Sequence, residues 1–330
     1  MRVLVTGGAG YLGCHVVPKF VEIGDEVTVL DKLHFGDAGL ADWKGRVRIL
    51  ADDIRTFDPE LLDGVDLVVH LAGLSNDPSA DFNPQANAEI NAMGSERVAR
   101  VCLERGVRRF VFASSCSVYY TRGPSDDLKT EESAVAPTAF YSQGKWLAER
   151  KLLALAGPRF CPVVLRFGTL FGFSPRMRYD LVLNTFARDA REKQRLTVHA
   201  GGEVWRPLVH VRDAADAILA AAYAPEAAVH GQIFNIVHKN YWIQSLAHWV
   251  KKVLEDRVKV DIDVDYEGQA EARGYRASME KTKRVLGFSA DRGVTVAVNE
   301  LWALFEQGRY TDFDNPIYYN IRWLKTLKEW

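Results

Sequence analysis

The first segment restricts the fold most. A run of β-forming residues, "RVLVT" (2–6), leads directly into "GGAGYLGCHVV" (7–17), where Gly8, Gly10 and Gly13 take the spacing G-x-G-x-x-G ahead of a helical apolar pattern. Strand, glycine turn and helix in that order open a βαβ unit. Glycine-rich turns are frequent, so the rest of the chain gives this one its meaning. Short apolar runs recur at 26–31, 46–50, 66–72, 109–114, 162–168 and 232–237, with helical patterns at about 12–23, 83–105, 142–156 and 213–223. Nearly continuous apolar strands separated by helices predict a parallel sheet covered on both faces. The expected fold is α/β and doubly wound, with about seven strands.

From about residue 169 the pattern loosens. Helices are expected near 179–192, 243–255 and 294–306, and short strands near 195–199 and 258–264. The run at 232–237 belongs to the main sheet, so the second domain is discontinuous. Residues 1–168, with about 205–240, form one domain; 169–204 and 241–330 form a smaller, mixed α/β domain for substrate. The aromatic tail 309–330 is expected to pack on the body or on another subunit and is assigned no chemistry.

Lys and Arg number 42 against 43 acidic residues in 330. No global charge argues for nucleic acid or a membrane surface, so any anionic ligand must be held locally. The four cysteines, Cys14, Cys102, Cys116 and Cys161, show no C-x-x-C or C-x-x-H pairing, which points to neither a metal site nor a disulfide framework. No apolar run approaches the roughly 20 residues of a membrane span. A soluble, cytoplasmic protein is expected.

Glycines at this spacing let the backbone approach a pyrophosphate, and the following helix N-terminus favours its negative charge. Asp31 ends the second apolar run 18 residues past Gly13, where a carboxylate bonds a ribose 2′-OH and repels a 2′-phosphate. The expected cofactor is therefore NAD bound to a Rossmann-like fold, with Lys32 able to soften the choice over NADP. Asp53 is placed either to accept from the adenine amino group or to cap its own loop. In "YSQGK" (141–145), Tyr141 and Lys145 share one helix face. A phenol becomes a usable base near neutral pH only when positive charge stabilises the phenolate.

Together these residues resemble the extended short-chain dehydrogenase/reductases, in particular the nucleotide-sugar epimerases and dehydratases. The resemblance rests on "TGGAGYLG" (6–13), Asp31, "DDI" (52–54), "HLAG" (70–73), Asn91 in "EIN", "SSCSVY" (114–119), "YSQGK" (141–145), "LRFGTLFG" (165–172), "RPLVHVRD" (206–213) and "RVLGF" (284–288). It implies a catalytic set of Ser115, Tyr141 and Lys145. Lys145 would hold the nicotinamide ribose and, with NAD+, lower the pKa of Tyr141. The cofactor would also meet Gly7, Gly10, Tyr11 and Leu12 in the glycine turn, Asp31 and Lys32, Asp53 and Ile54, then Leu71, Ala72 and Gly73, and finally Asn91 and Ser114.

The implied reaction oxidises a sugar hydroxyl, most often at C4, to a 4-keto sugar. An epimerase then returns hydride to the other face. Dehydratases of this family carry Asp-Glu, or Glu, just after the catalytic Ser/Thr; here Cys116 and Ser117 stand there, which argues against 4,6-dehydration. Cys116 is expected to be a small packed residue rather than an acid. On the substrate side the resemblance implies Ser75, Ser115, Ser117, Thr169, Arg176, Arg178 and Asn184, with Arg206 and Arg273 on the diphosphate. Thr169 replaces a frequent asparagine and "LSNDP" (74–78) is unusual, which counts against UDP-glucose/galactose as the substrate. The expected function is an NAD-dependent nucleotide-sugar epimerase, with a C4 dehydrogenase or ketoreductase, or a noncatalytic NAD-binding scaffold, as alternatives. A homodimer is implied through the helices at 83–105 and 141–156, with Trp146 and Leu153 serving either that seam or the core.

Overall fold

The computed structural model describes residues 1–120, 127–259, 261–268, 274–328 and 330. Its strands, in chain order, are β1 (Arg2–Thr6), β2 (Glu26–Asp31), β3 (Val47–Ala51), β4 (Leu67–His70), β5 (Arg109–Ser115), β6 (Leu128–Lys129), β7 (Cys161–Phe167), β8 (Thr169–Phe171), β9 (Arg195–His199), β10 (Trp205–His210), β11 (Ile233–Ile236), β12 (Lys239–Trp242), β13 (Asp263–Glu267) and β14 (Arg276–Ala277). Seven of them form one sheet in the order β11-β7-β5-β4-β1-β2-β3, and every neighbouring pair is parallel. The order reverses between β1 and β4, and such a reversal opens a crevice at the carboxyl ends of the strands.

Both sheet faces are covered, as the continuous apolar strands require. Val3 and Val5 pack with Val16, Val17 and Phe20 of helix Gly13–Glu22 and Ala214 and Ile218 of helix Val211–Tyr223. Leu4 points the other way, toward Val98 and Ala99 of helix Ser95–Arg105 and Ala148 and Leu152 of helix Phe140–Ala154. This alternation follows from the two-residue period of a strand. A separate core joins helices Val182–Lys193, Ile243–Val258 and Val294–Glu306 through Leu183, Phe186, Leu246, Val250, Leu301 and Phe305. Beside it lie the small sheets β12-β10-β8 and β13-β9.

Two elements differ from expectation. The helix foreseen at 83–105 is Pro84–Asn87, a π-helical segment Ala88–Gly94, and Ser95–Arg105. Here the Ser95 hydroxyl donates to the Asn91 carbonyl (2.7 Å) and the Ser95 N–H bonds the Ala92 carbonyl, so the ordinary backbone bond from Ser95 to Asn91 is replaced where the π-helical segment ends. The strand foreseen at 258–264 begins only at Asp263. The preceding helix runs to Val258 and stops at Lys259, which takes a left-handed φ of 56°. Among the described residues no helix is long and apolar enough to cross a membrane.

One ion pair fastens the helix Phe140–Ala154 to the sheet. Arg166 on β7 and Glu149 are both buried, joined by Nη2 to Oε2 at 2.6 Å and Nε to Oε1 at 3.0 Å. Arg166 Nη1 also donates to the Tyr119 hydroxyl (2.8 Å), which donates to Asn235 on β11 (2.8 Å). Ser114 of β5 donates to Glu149. Removing one partner leaves the other charged and buried, so Arg166→Leu should cost about 3–5 kcal/mol in urea unfolding. The double change Arg166→Leu with Glu149→Leu should cost clearly less.

Candidate active site

The carboxyl ends of the main sheet open into a cleft of about 470 Å³. Its floor is the glycine turn. Gly7 has φ +71°, and a Cβ there would lie 2.6 Å from the Ala72 nitrogen; a Cβ on Gly13 would lie 2.4 Å from the Gly8 carbonyl oxygen. The turn therefore fits tightly under "HLAG" and against its own helix, leaving Gly10, Tyr11 and Leu12 on the cleft. Asp31 closes one end, accepting from the N–H of Ala9 (3.0 Å) and of Leu33 (2.8 Å). Burial raises the Asp31 pKa, opposed by those two backbone bonds. A backbone cradle with a carboxylate at its end fits the pyrophosphate and ribose of a dinucleotide.

Lys32, expected to modify Asp31, instead pairs with Asp53 at 2.8 Å. Arg55 binds the same carboxylate (2.7 Å). Burial pushes Asp53 up, but the hydrogen bonds from Arg55 and Lys32 outweigh it and leave its pKa well below the usual range. Asp53 thus caps its own loop while still lining the cleft with Ile54, Leu71, Ala72 and Gly73. Asn91 lies behind that wall: its amide brackets Leu74, accepting from the N–H (2.9 Å) and donating to the carbonyl (2.9 Å). His70, buried beneath, joins Thr6 (2.6 Å) and Ser95 (2.9 Å), and burial pushes it down to about 3.

Ser115, Tyr141 and Lys145 all reach this cleft. Ser115 ends β5 and accepts the Ser117 N–H at 3.1 Å. Burial pushes the Tyr141 phenol up to about 12 and the Asp77 charge adds to the rise, against hydrogen bonding to Ser115 and the Arg178 charge. The expected lowering by Lys145 is not part of this balance. The ammonium donates to the Ala113 carbonyl (2.9 Å) and sits 4.9 Å over the Phe112 ring. Burial pulls Lys145 down to about 8, so the lysine is the group held nearer neutrality.

On the other wall Arg178 forms a fork with Asp180, at 2.8 and 3.0 Å, and reaches Ser75 at 3.3 Å. Burial pushes the Asp180 carboxyl up, yet the charge and hydrogen bonds of Arg178 leave it below the usual range. Arg176 lies 3.7 Å over the Phe35 ring and is bound through Nη2 to Asn320 at 2.6 Å. Burial, with the charge of Arg178, brings its pKa down to about 9. Ser117, Thr169 and Arg206 line the same wall with Tyr275. Asn184 does not reach the cleft. It holds Gly172 (2.9 Å), the Tyr11 hydroxyl (3.1 Å) and the Arg178 carbonyl (2.9 Å). Arg273 lies outside the described residues. Cys116 is fully buried against the Arg166 carbonyl (3.1 Å), a packed residue on the strand side.

Asp77, Asp180 and Asn320 also line the cleft; Asp77 belongs to the "LSNDP" stretch, expected near the sugar, while Asp180 and Asn320 were not foreseen. "SNDP" offered a signal for Asp77, since Asn76 caps the short helix that begins there. Asp180 stood two residues from Arg178. Nothing local marks Asn320.

The fold is that of an extended short-chain dehydrogenase/reductase. The chain belongs to the NAD dependent epimerase/dehydratase family, whose model matches residues 3–237, and its cofactor is NAD. It is 28% identical over 226 residues to "UDP-glucuronic acid decarboxylase 1" of Xenopus tropicalis, a match covering 66% of this chain and 53%, about half, of that protein. It is 27% identical over 259 residues to the "Uncharacterized UDP-glucose epimerase YtcB" of Bacillus subtilis, covering 72% of this chain and 76% of the other. Among solved structures, MoeE5 in complex with UDP-glucuronic acid and NAD superposes with a TM-score of 0.81 at 24% identity, over 93% of this chain and 100% of that one. UDP-glucuronic acid 4-epimerase from Bacillus cereus gives 0.80 at 21%, over 93% and 99%. The relatives it matches thus carry the names of both decarboxylases and epimerases of UDP sugars.

Lys145 binds a proton more weakly when folded than its ordinary 10.5, so the unfolded chain carries more protons between about pH 8 and 10.5. Stability should therefore rise with pH through that window. Measured against Lys145→Met by urea unfolding, the gain from pH 7.5 to 10.5 should be about 2–3 kcal/mol.

Proposed function

We propose that this chain is an NAD-dependent nucleotide-sugar epimerase that works through a 4-keto intermediate. The observation that carries the reading is the meeting of Ser115, Tyr141 and Lys145 beside the glycine turn in one cleft. Tyr141, as phenolate, takes the proton of the C4 hydroxyl while Ser115 bonds the same oxygen. When bound, NAD supplies the hydride acceptor and the positive charge that a phenol held at about 12 requires. Lys145 is assigned the nicotinamide ribose. The keto sugar then turns over, and Tyr141 returns the proton as hydride reaches the opposite face.

The substrate class is a nucleoside-diphosphate sugar, with Arg206 on the diphosphate. Relatives solved with UDP-glucuronic acid and UDP-glucose support a UDP sugar. The Arg176 and Arg178 pair, buried on the sugar wall, suits a substituent with acceptor oxygens. Four unpaired, buried cysteines support a reducing, cytoplasmic setting. Asp77 favours a second reading: the residue lines the cleft and its charge acts on Tyr141, so a candidate base for a sugar C5 proton is at hand. Elimination of water would follow from that arrangement.

Incubating a panel of UDP sugars and following the product by NMR and mass separates the readings. Epimerisation gives an isomer of unchanged mass with no net NADH. Loss of water or of carbon dioxide, or accumulating NADH, would count against it. Tyr141→Phe should lower kcat by at least about a hundredfold.

The assembly is assigned as a homodimer through the helices foreseen for that seam. Met93 and Leu147, on the π-helical segment and on helix Phe140–Ala154, are exposed apolar side chains. Trp146 and Leu153 pack instead against buried clusters. Leu147→Glu should shift sedimentation from dimer to monomer.

A further inference from the structure

The C-terminal tail is built into the cleft. Asn320 opens a short helix, Asn320–Leu324, and its side-chain amide and N–H are all engaged: Oδ1 accepts from Arg176 (2.6 Å), Nδ2 donates to Ser75 (2.8 Å), and its N–H donates to Asp180 (3.2 Å). One turn on, the Trp323 indole donates to the His34 carbonyl at 2.5 Å, in the loop that follows β2. The Trp330 carbonyl accepts from Arg55 at 2.6 Å, and Arg55 is the residue that holds Asp53 after β3. Leu324 is buried with Leu74 and Ala86, and the Trp330 ring lies 5.5 Å from Phe82, both in the segment after β4.

The loops after β2, β3 and β4 are those that surround the adenosine half of a dinucleotide in a doubly wound fold. A ligand seated between them leaves only if they part. The tail crosses all of them and anchors at the sugar wall as well, with Asn320 and Leu324 forming part of the cleft surface. We propose that the C-terminal segment beginning at Asn320 is a strap that retains NAD in its cleft, with Asn320 and Trp323 as its anchors. A reaction that sends hydride out and back needs the same cofactor molecule for both transfers, so the strap has a purpose under the epimerase reading. Its effect on dinucleotide release stands independently of that reading.

The test is the rate at which bound NADH leaves the enzyme, read by its fluorescence during a chase with excess NAD and with no sugar present. Asn320→Ala removes two side-chain bonds and should speed release roughly tenfold, while Trp323→Phe keeps an aromatic ring but loses the indole donor and should speed it roughly threefold. A chain ending at Tyr319 should release faster than either. Trp249→Phe, an exposed tryptophan on helix Ile243–Val258, is the control and should leave the rate unchanged. Release within twofold of the wild type in both anchor variants overturns the proposal, whatever the shortened chain does. Lower melting temperatures without faster release overturn it too, because that is the signature of a segment that only packs. Absent epimerase activity bears on the reaction and not on the strap.

Discussion

The geometry of the cleft depends on the buried pair of Arg166 and Glu149. Glu149 sits one turn beyond Lys145 on the helix that carries Tyr141, and Arg166 is on the strand beside β5, where Ser115 lies. Ser114 completes the link by donating to the same carboxylate. A hydrophobic contact at that place would hold helix and sheet together but would tolerate sliding by a fraction of a turn. A forked guanidinium–carboxylate pair fixes both direction and distance. Carrying two charges out of water is costly, and the hydrogen bonds from Ser114 and to Tyr119 satisfy valences that would otherwise remain empty. The result is a rigid frame in which Ser115, Tyr141 and Lys145 share one support.

Within that frame the electrostatics run opposite to a simple pairing of phenol and ammonium. Burial pushes each group toward its neutral form: the phenol up to about 12 and the lysine down to about 8. Lys145 is turned to the end of β5 rather than to Tyr141. A phenol held this high gives up its proton near neutral pH only when further positive charge enters the cleft.

Much of this was legible in the sequence because it is local. Strand, glycine turn and helix lie within 25 residues, and the strands facing two apolar layers read as unbroken apolar runs. Ser115, Tyr141 and Lys145 each sit in a short motif with a chemical reason for its spacing. The rest was hidden for equally physical reasons. Asn320 and Ser75 meet across 245 residues, and no periodicity marks such a contact. The irregularity of the helix beside Asn91 involves a serine hydroxyl taking the place of one backbone bond. The seam between Lys32 and Asp53 arises because two sheet-end loops lie side by side, which diverted the lysine from the neighbour it was read against.

The order of strands in the sheet also sets a schedule for synthesis. β7 is buried along its whole length, and its outer neighbour β11 is not encoded until residues 233–236. A ribosome that has just finished β7 therefore presents a nascent sheet with a bare, largely apolar margin, the kind of edge through which chains stick to one another. That margin stays open while the loop, helix and small-sheet residues between the two strands are made. Chaperone demand in this protein should concentrate in that interval rather than at the end of translation.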